Sequence, residues 1–217
     1  AADTFEQRTI ASGWGTSTSG APWTVGGGAS GFSVSGGAGV ITNAAGASRS
    51  ATLGGVSETA TDSTVSFVVP ALATGGGQYV TLTGRQVGSE KYAAVALLNA
   101  NGTIQLQLAR GGTKLQTLNL PGTTYAAGST VTMRLQVFGT APTTLRAKAW
   151  TDAQTEPTAW QVSRTDDTAA LARLADPCAR VIEIAQPSKT EAVRVGNAAF
   201  EQRQMDIFGE FMDAVYI

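Results

Sequence analysis

The chain has 217 residues, of which 42% are hydrophobic and 14% are charged, and its 15 cations nearly balance its 16 anions. This length suits one all-β domain or a domain with an extension, and the net charge of −1 argues against binding to nucleic acid or to an anionic membrane. Because the sequence contains no histidine, histidine-based metal sites, Ser-His-Asp triads and Cys-His dyads are excluded.

The first half of the chain predicts short strands separated by glycine-rich turns. Residues 23–43 place apolar residues in short runs between glycine clusters, which is typical of strands with turns and bulges. The alternation of Val65, Phe67 and Val69 predicts a strand with one buried face. Asn101-Gly102 lies between two apolar runs and predicts a β-hairpin, because a tight turn there requires a positive φ.

Three later segments alternate apolar and polar residues: "TIQLQL" (103–108), "MRLQVF" (133–138) and "LRAKAW" (145–150). If these strands share one sheet, their polar face collects amides, cations and an indole ring. Such groups suit sugar recognition, since hydroxyls need bidentate partners and the sugar ring needs an aromatic surface. The candidate ligand-binding residues are Gln105, Gln107, Arg134, Gln136, Arg146, Lys148 and Trp150. The alternative is an ordinary solvated sheet face.

The other tryptophans are interpreted as structural. Trp160 is in phase with Val162 in "AWQV", which predicts a position in the core. Trp14 and Trp23 flank turns rich in glycine and proline, and we expect them to pin the N-terminal loop to the edge of the sandwich.

Two segments have helical patterns. "TDDTAALARLADP" (165–177) predicts one short internal helix that begins at Asp166 or Asp167 and ends before Pro177. Near the C-terminus, apolar residues recur at helical spacing and predict an amphipathic helix formed by Ile207, Phe208, Phe211, Met212, Val215 and Tyr216. This face either packs on its own domain or docks on another copy or another protein. We interpret 1–203 as a β-sandwich domain and 204–217 as an assembly or docking extension.

Several blocks of the chain resemble concanavalin A-like (laminin-G-like) domains, which occur in secreted actinobacterial proteins and in minor tail proteins of phages that infect those bacteria. They include "DTFEQRTIASGWGTSTSGAPWT" from residue 3, "GRQVGSEKYAAVALLNANGTIQLQLAR" from residue 84 and "TLRAKAWTDAQTEPTAWQV" from residue 144. The resemblance covers roughly residues 3–200. It implies an all-β, two-sheet antiparallel jelly-roll sandwich whose first and last strands pair, so that 3–8 and 197–203 would be neighbours.

Sandwiches of this kind often hold one structural calcium ion through Asp, Asn and backbone oxygens at a loop rim. By residue type the candidates are Asp3, Asn43, Asp62 and Asn197, of which we retain Asp3 and Asn197.

The same fold includes glycoside hydrolases, and retaining hydrolysis needs two carboxyl groups about 5–5.5 Å apart. No segment matches the ExDxxE-type strand that the relevant glucanases carry: Glu183 stands alone in "VIEIA", and the adjacent Asp166 and Asp167 would face opposite sides of a strand. We therefore expect no catalytic residue.

The expected function is a non-enzymatic structural or adhesion module. We predict a phage virion protein, such as a minor tail or other surface protein, that assembles with protein partners through the C-terminal segment and binds host-surface glycan. The alternative is a carbohydrate-binding domain of a secreted cell-wall or polysaccharide-active protein, and a glycoside hydrolase or lyase is the weakest alternative. The opening "AADTFEQRT" lacks the pattern of a signal peptide, which fits a particle component, a mature secreted protein or a piece of a larger chain. The expected location is a virion or the extracellular space.

Overall fold

The strands in the described part of the chain form two antiparallel sheets. The computed structural model describes residues 2–6, 8–55, 57–172, 181–185, 191–195 and 202–203. Its strands are β1 (Trp23–Gly26), β2 (Phe32–Ser35), β3 (Ala38–Asn43), β4 (Ser48–Leu53), β5 (Thr61–Val68), β6 (Gln78–Val87), β7 (Glu90–Leu98), β8 (Thr103–Arg110), β9 (Thr113–Thr124), β10 (Thr130–Phe138), β11 (Thr143–Thr151), β12 (Val162–Asp166), β13 (Val181–Ala185), β14 (Glu191–Val195) and β15 (Gln202–Arg203).

One sheet has seven strands in the order β1-β4-β13-β6-β7-β8-β9. The other has eight strands, seven of them in the order β12-β11-β10-β5-β14-β3-β2, while β15 pairs with β5. Strands from late in the chain are inserted between early ones, since β13 lies between β4 and β6 and β14 between β3 and β5. The predicted two-sheet jelly-roll sandwich is confirmed.

The core lies between the two sheets, and it is built by the alternation that the sequence predicts. Side chains of a strand point alternately to its two faces, and the apolar set of each strand is buried: Val65 and Phe67 of β5, Ile104, Leu106 and Leu108 of β8, Met133, Leu135 and Val137 of β10, and Leu145, Ala147 and Ala149 of β11. The predicted hairpin is confirmed as well. Gly102 has φ +81°, and its amide donates to the Asn99 carbonyl.

Trp14 and Trp23 lie deeper than predicted. Trp14 is fully buried and Trp23 nearly so, because both rings pack against Phe5 and against each other, and Trp14 also packs on Phe32. The ring of Phe5 fastens the N-terminal segment to this aromatic cluster. The cluster is therefore part of the core, and it lies at the edge strands β1 and β2, where it holds the N-terminal segment as predicted.

The predicted pairing of the first and last strands is wrong for the residues that the structure describes. Residues 2–6 form no strand and lie against the aromatic cluster, whereas β15 pairs with β5, Gln202 opposite Ser63 and Arg203 opposite Asp62. The N-terminal segment is instead held by Phe5, whose side chain is buried in the core without strand pairing.

The internal helix is shorter than predicted. Residues 165 and 166 belong to β12, and only Ala169–Leu171 form a single 3-10 turn, with Thr168 at its N-cap in place of Asp166 or Asp167. Residues 173–177 of the predicted helix lie outside the described part of the chain, as do Asn197 and the predicted C-terminal helix (204–217). No helix among the described residues is long and apolar enough to cross a membrane.

Candidate functional site

The outer face of β10 and β11 gathers most of the predicted ligand-binding residues. In the pairing of these strands, Arg134 lies opposite Lys148 and Gln136 lies opposite Arg146. The neighbouring strand β5 places Asp62 opposite Gln136. Because their sequence neighbours face the core, these five side chains lie on the outer side of the eight-stranded sheet.

Trp160 lies on this outer face, so its predicted core position is wrong. The centroid of its ring is 4.8 Å from Cζ of Arg146, 4.9 Å from Nζ of Lys148 and 5.6 Å from Cζ of Arg134. The reason is local: β12 begins only at Val162, so the alternation of a strand does not extend back to Trp160. We call Trp160, Asp62, Arg134, Gln136, Arg146, Lys148 and Glu156 the Trp160 platform.

Asp62 organises one side of the platform. It is almost fully buried and accepts two hydrogen bonds from Arg134, from Nε to Oδ1 at 2.9 Å and from Nη2 to Oδ2 at 2.6 Å. Gln136 Nε2 also donates to Asp62 Oδ2, at 2.5 Å, and Gln136 Oε1 accepts from Arg146 Nε at 2.6 Å. Bidentate, charge-assisted bonds of this kind fix the geometry of both groups.

Glu156 ties the loop that carries Trp160 to the sheet. Its Oε1 lies 2.8 Å from Nη1 of Arg134 and 2.8 Å from Nζ of Lys148, and Lys148 Nζ also donates to the Pro157 carbonyl at 2.7 Å. The hydrogen bond from Lys148 is the largest cause that lowers the pKa of Glu156, and that from Arg134 adds to it. The Glu156 carboxylate is therefore held in its ionised form.

Trp150 lies on the same face, opposite Thr132 of β10 and two residues beyond Lys148 along β11. Within the described chain no cation lies over its ring, and it is half-buried. The aromatic partner of the cations is thus Trp160 and not the predicted Trp150, which borders the platform.

Gln105 and Gln107 do not join the platform. Both belong to β8, which lies in the seven-stranded sheet, where Gln105 Nε2 donates to Asn119 Oδ1 and Gln107 Nε2 donates to Gln105 Oε1, each at 2.8 Å. The prediction that these amides share a face with β10 and β11 is wrong. Alternation assigns each residue to a face of its strand but does not assign the strand to a sheet.

Asp3 is a structural carboxylate among hydrogen-bond donors. It is fully buried, and it accepts from the Phe5 amide at 3.0 Å, from Trp23 Nε1 at 2.6 Å and from Arg8. The described residues contain no group of three or more Cys, Asp or Glu side chains placed to hold a metal. Because Asn197 lies outside those residues, the calcium site stays a prediction.

No family model and no curated protein matches the chain, but many solved structures do. Lectin I-B4 from Griffonia simplicifolia in its metal-free form has a TM-score of 0.55 at 9% identity and covers 84% of this chain and 93% of its own. A glycoside hydrolase family protein from Mycobacterium thermorestibile has a TM-score of 0.53 at 14% identity, over 94% and 99%. The CBM2 module of the evolved Dit of Lactobacillus casei BL23 phage J-1 has a TM-score of 0.52 at 9% identity, over 89% and 91%. The chain thus has the concanavalin A-like jelly-roll fold.

Proposed function

We propose that the protein is a carbohydrate-binding module whose ligand binds on the Trp160 platform. The observation that carries this proposal is the ring of Trp160, which three cations hold against the outer face of a sheet. Because these cations come from neighbouring positions of one sheet face, they contact the ring from the sheet side, and part of the half-buried ring stays accessible. An aromatic face of this kind packs on the C–H face of a sugar.

The fold supports the same proposal. Two of the solved structures with a similar fold are by name a lectin and a CBM2 module. Polar side chains surround the accessible ring, as is usual in small-ligand sites, where an apolar surface contacts the ligand and a few polar groups fix its orientation.

We propose further that this function is non-enzymatic. A glycoside hydrolase needs one carboxyl group that donates a proton, and the two carboxylates of the platform are unsuited to that role. Glu156 has a lowered pKa, and Asp62 accepts from Arg134 and Gln136. Incubation with neutral and acidic polysaccharides, followed by measurement of new reducing ends, should show no turnover; release of reducing ends that depends on Asp62 or Glu156 would contradict this.

The test of carbohydrate binding is a titration of Trp160→Ala with the oligosaccharides that the unchanged protein binds in a glycan array. We expect affinity to fall at least about tenfold, because the stacking surface is lost, and Trp160→Phe to retain part of it. Gln105→Ala, on the other sheet, is the control and should bind normally. Equal affinity of Trp160→Ala and the unchanged protein would contradict the proposal.

A second proposal concerns assembly: the module is a virion or extracellular surface protein that docks through residues 204–217. The apolar helical pattern of that segment and the similar fold of a phage-protein module support it. Deletion of 205–217 should convert an assembled form into monomers, measured by light scattering, while the thermal midpoint of the sandwich stays unchanged. An unaltered assembly state after deletion would argue against this role.

A further inference from the structure

Arg146 differs from the other two cations of the Trp160 platform. Arg134 is paired with Asp62 and Glu156, and Lys148 is paired with Glu156. Among the described residues Arg146 has no carboxylate partner, and its one hydrogen bond runs from Nε to Gln136 Oε1. Three cations thus face two carboxylates on the described platform, and the unpaired positive charge is the guanidinium of Arg146.

The guanidinium of Arg146 is also held in a defined position. It packs against two aromatic rings, with Cζ 5.1 Å from the centroid of Phe138 and 4.8 Å from that of Trp160. Its Nε is bound by Gln136, which is in turn bound by Asp62. These contacts restrain the side chain and leave both Nη groups without a partner in the described chain, so little rotamer freedom remains to be lost when a ligand binds.

We propose that the Trp160 platform binds an acidic saccharide, with the sugar ring against Trp160 and an oxyanion substituent on the Nη groups of Arg146. This inference rests on the carbohydrate-binding function proposed above and names the class of its ligand. A planar guanidinium matches two oxygens of a carboxylate or of a sulfate or phosphate group through parallel hydrogen bonds, which a lysine ammonium does not reproduce. The shared chemistry is therefore an oxyanion on a sugar.

The first experiment compares ligands on the unchanged protein. Titration calorimetry is carried out with uronate oligosaccharides (oligogalacturonate, alginate and hyaluronan fragments), their methyl esters, sulfated chondroitin oligosaccharides and neutral cello- and galacto-oligosaccharides. We expect the preferred ligand to be acidic and the removal of its charge, by esterification or desulfation, to weaken binding about 10- to 100-fold, as for hydrogen bonds to charged groups. The uronate and sulfated oligosaccharides distinguish a carboxylate from a sulfate as the preferred oxyanion.

The second experiment changes Arg146. Arg146→Gln should lower affinity for the preferred acidic ligand about 10- to 100-fold, whereas affinity for its uncharged counterpart should fall much less, because Arg134 and Lys148 still contact the Trp160 ring. Arg146→Lys should recover only part of the loss, because the charge returns without the planar fork. The matched control is Arg164→Gln. Arg164 lies opposite Leu145 on the adjacent strand, so its Cβ points to the side of the sheet opposite to the platform. Its replacement should leave the affinity for the acidic ligand unchanged.

The outcomes separate this inference from the function on which it rests. Binding of acidic oligosaccharides that is lost in Trp160→Ala but is unchanged in Arg146→Gln, or a preference for neutral over acidic oligosaccharides, overturns the acidic ligand and keeps the carbohydrate-binding function. The absence of binding to every saccharide of the panel overturns both. Unfolding in urea establishes that each variant is folded, since Arg146 is partly exposed and its replacement should leave the midpoint nearly unchanged.

Discussion

Tyr92 shows how a single buried hydroxyl is stabilised inside this sandwich. The side chain is fully buried, and its hydroxyl donates to Asp166 Oδ1 at 2.6 Å, while Arg110 Nη1 donates to Asp166 Oδ2 at 2.7 Å. Burial is the largest cause that raises the pKa of Tyr92 to about 12, and the bond to Asp166 adds to it. Burial also disfavours the ionised form of Asp166, but hydrogen bonds from Thr168 and Tyr92 outweigh it and lower the pKa of that carboxyl group.

A raised tyrosine pKa makes the protein less stable at high pH. Between the two pKa values the folded state keeps the proton of Tyr92, whereas the unfolded chain has lost it. The stabilisation that Tyr92 gives the folded state is therefore complete below the unfolded pKa of about 10 and disappears as the pH rises through about 12. Between these values the unfolding free energy should fall with pH, by up to about 2–3 kcal/mol. Tyr92→Phe should be less stable at pH 8 but should show a shallower fall, measured by urea unfolding at pH 8 to 12.

The control for this prediction is Tyr79→Phe, which removes a hydroxyl from a partly exposed residue of β6. Other groups also titrate in this range, and the difference between the two variants isolates the buried hydroxyl. The same pH slope in Tyr92→Phe and in the unchanged protein would show that folding does not change the pKa of Tyr92.

At the scale of elements, the β-bulge in β6 is the point at which close packing between the sheets restricts the backbone. The register of β6 with β7 shifts between Thr83 and Arg85, and a Cβ atom on Gly84 would lie 2.6 Å from Cγ2 of Val137 and 2.9 Å from Cδ2 of Leu135. Both neighbours belong to the buried face of β10. Glycine is required here because the strand of one sheet touches the side chains of the other.

Gly84→Ala should therefore destabilise the protein by about 1–3 kcal/mol, the usual effect of forcing an extra carbon into a packed core. The measurement is the midpoint of urea unfolding. Gly112→Ala is the matched control, since a Cβ atom there meets nothing within 4 Å, and it should be neutral or slightly stabilising. An equal effect of the two changes would show that β10 moves aside at Gly84.

The element scale also explains what the sequence could predict. Alternation is a property of one strand, so the buried and exposed faces of β5, β8, β10 and β11 were predictable. Pairing between distant strands leaves no such local pattern, and the sheet to which β8 belongs was not predictable. Where the chain leaves strand geometry, as it does before Val162, alternation no longer applies, and Trp160 was misplaced for that reason.

The candidate site depends on the same long-range pairing. Arg134, Gln136, Arg146 and Lys148 were predictable as one polar face because β10 and β11 are consecutive strands. Asp62 and Glu156 meet on Arg134 although they lie far apart in the chain. A prediction of that contact would have needed the pairing of β5 with β10.

At the scale of the whole molecule, Arg85 joins the two sheets. It belongs to β6 of the seven-stranded sheet and is fully buried. Its Nη groups donate to Thr143 Oγ1 at 3.1 Å, to the Gly139 carbonyl at 2.9 Å, to the Leu171 carbonyl at 2.9 Å and to the Thr59 carbonyl. Thr143 begins β11 of the eight-stranded sheet. Burial lowers the pKa of Arg85, and the described residues supply no carboxylate to it.

Two effects of opposite sign decide how much Arg85 contributes to the free energy of unfolding. Removing a cation from water costs several kcal/mol, and Nε of Arg85 is buried without a hydrogen-bond partner in the described chain. Against this cost stand four acceptor oxygens that would lose the Arg85 donor. The hydrogen bond from Thr143 Oγ1 to the Gly139 carbonyl remains, so the loss falls mainly on the carbonyls of Thr59 and Leu171. An unsatisfied buried polar group costs about 1–3 kcal/mol, and we expect the loss at these two carbonyls to be the larger effect.

Arg85→Met should therefore lower the unfolding free energy by about 2–4 kcal/mol, and Arg85→Lys should lower it too, because one ammonium does not reach all four oxygens. The measurement is urea unfolding. A weaker dependence of the unfolding free energy on urea concentration, or two separate transitions, would reveal that the sheets no longer unfold together. Arg164→Met, at an exposed position, controls for the loss of one positive charge. If Arg85→Met is as stable as the unchanged protein, apolar packing suffices at this position, and desolvation of the cation outweighs its hydrogen bonds.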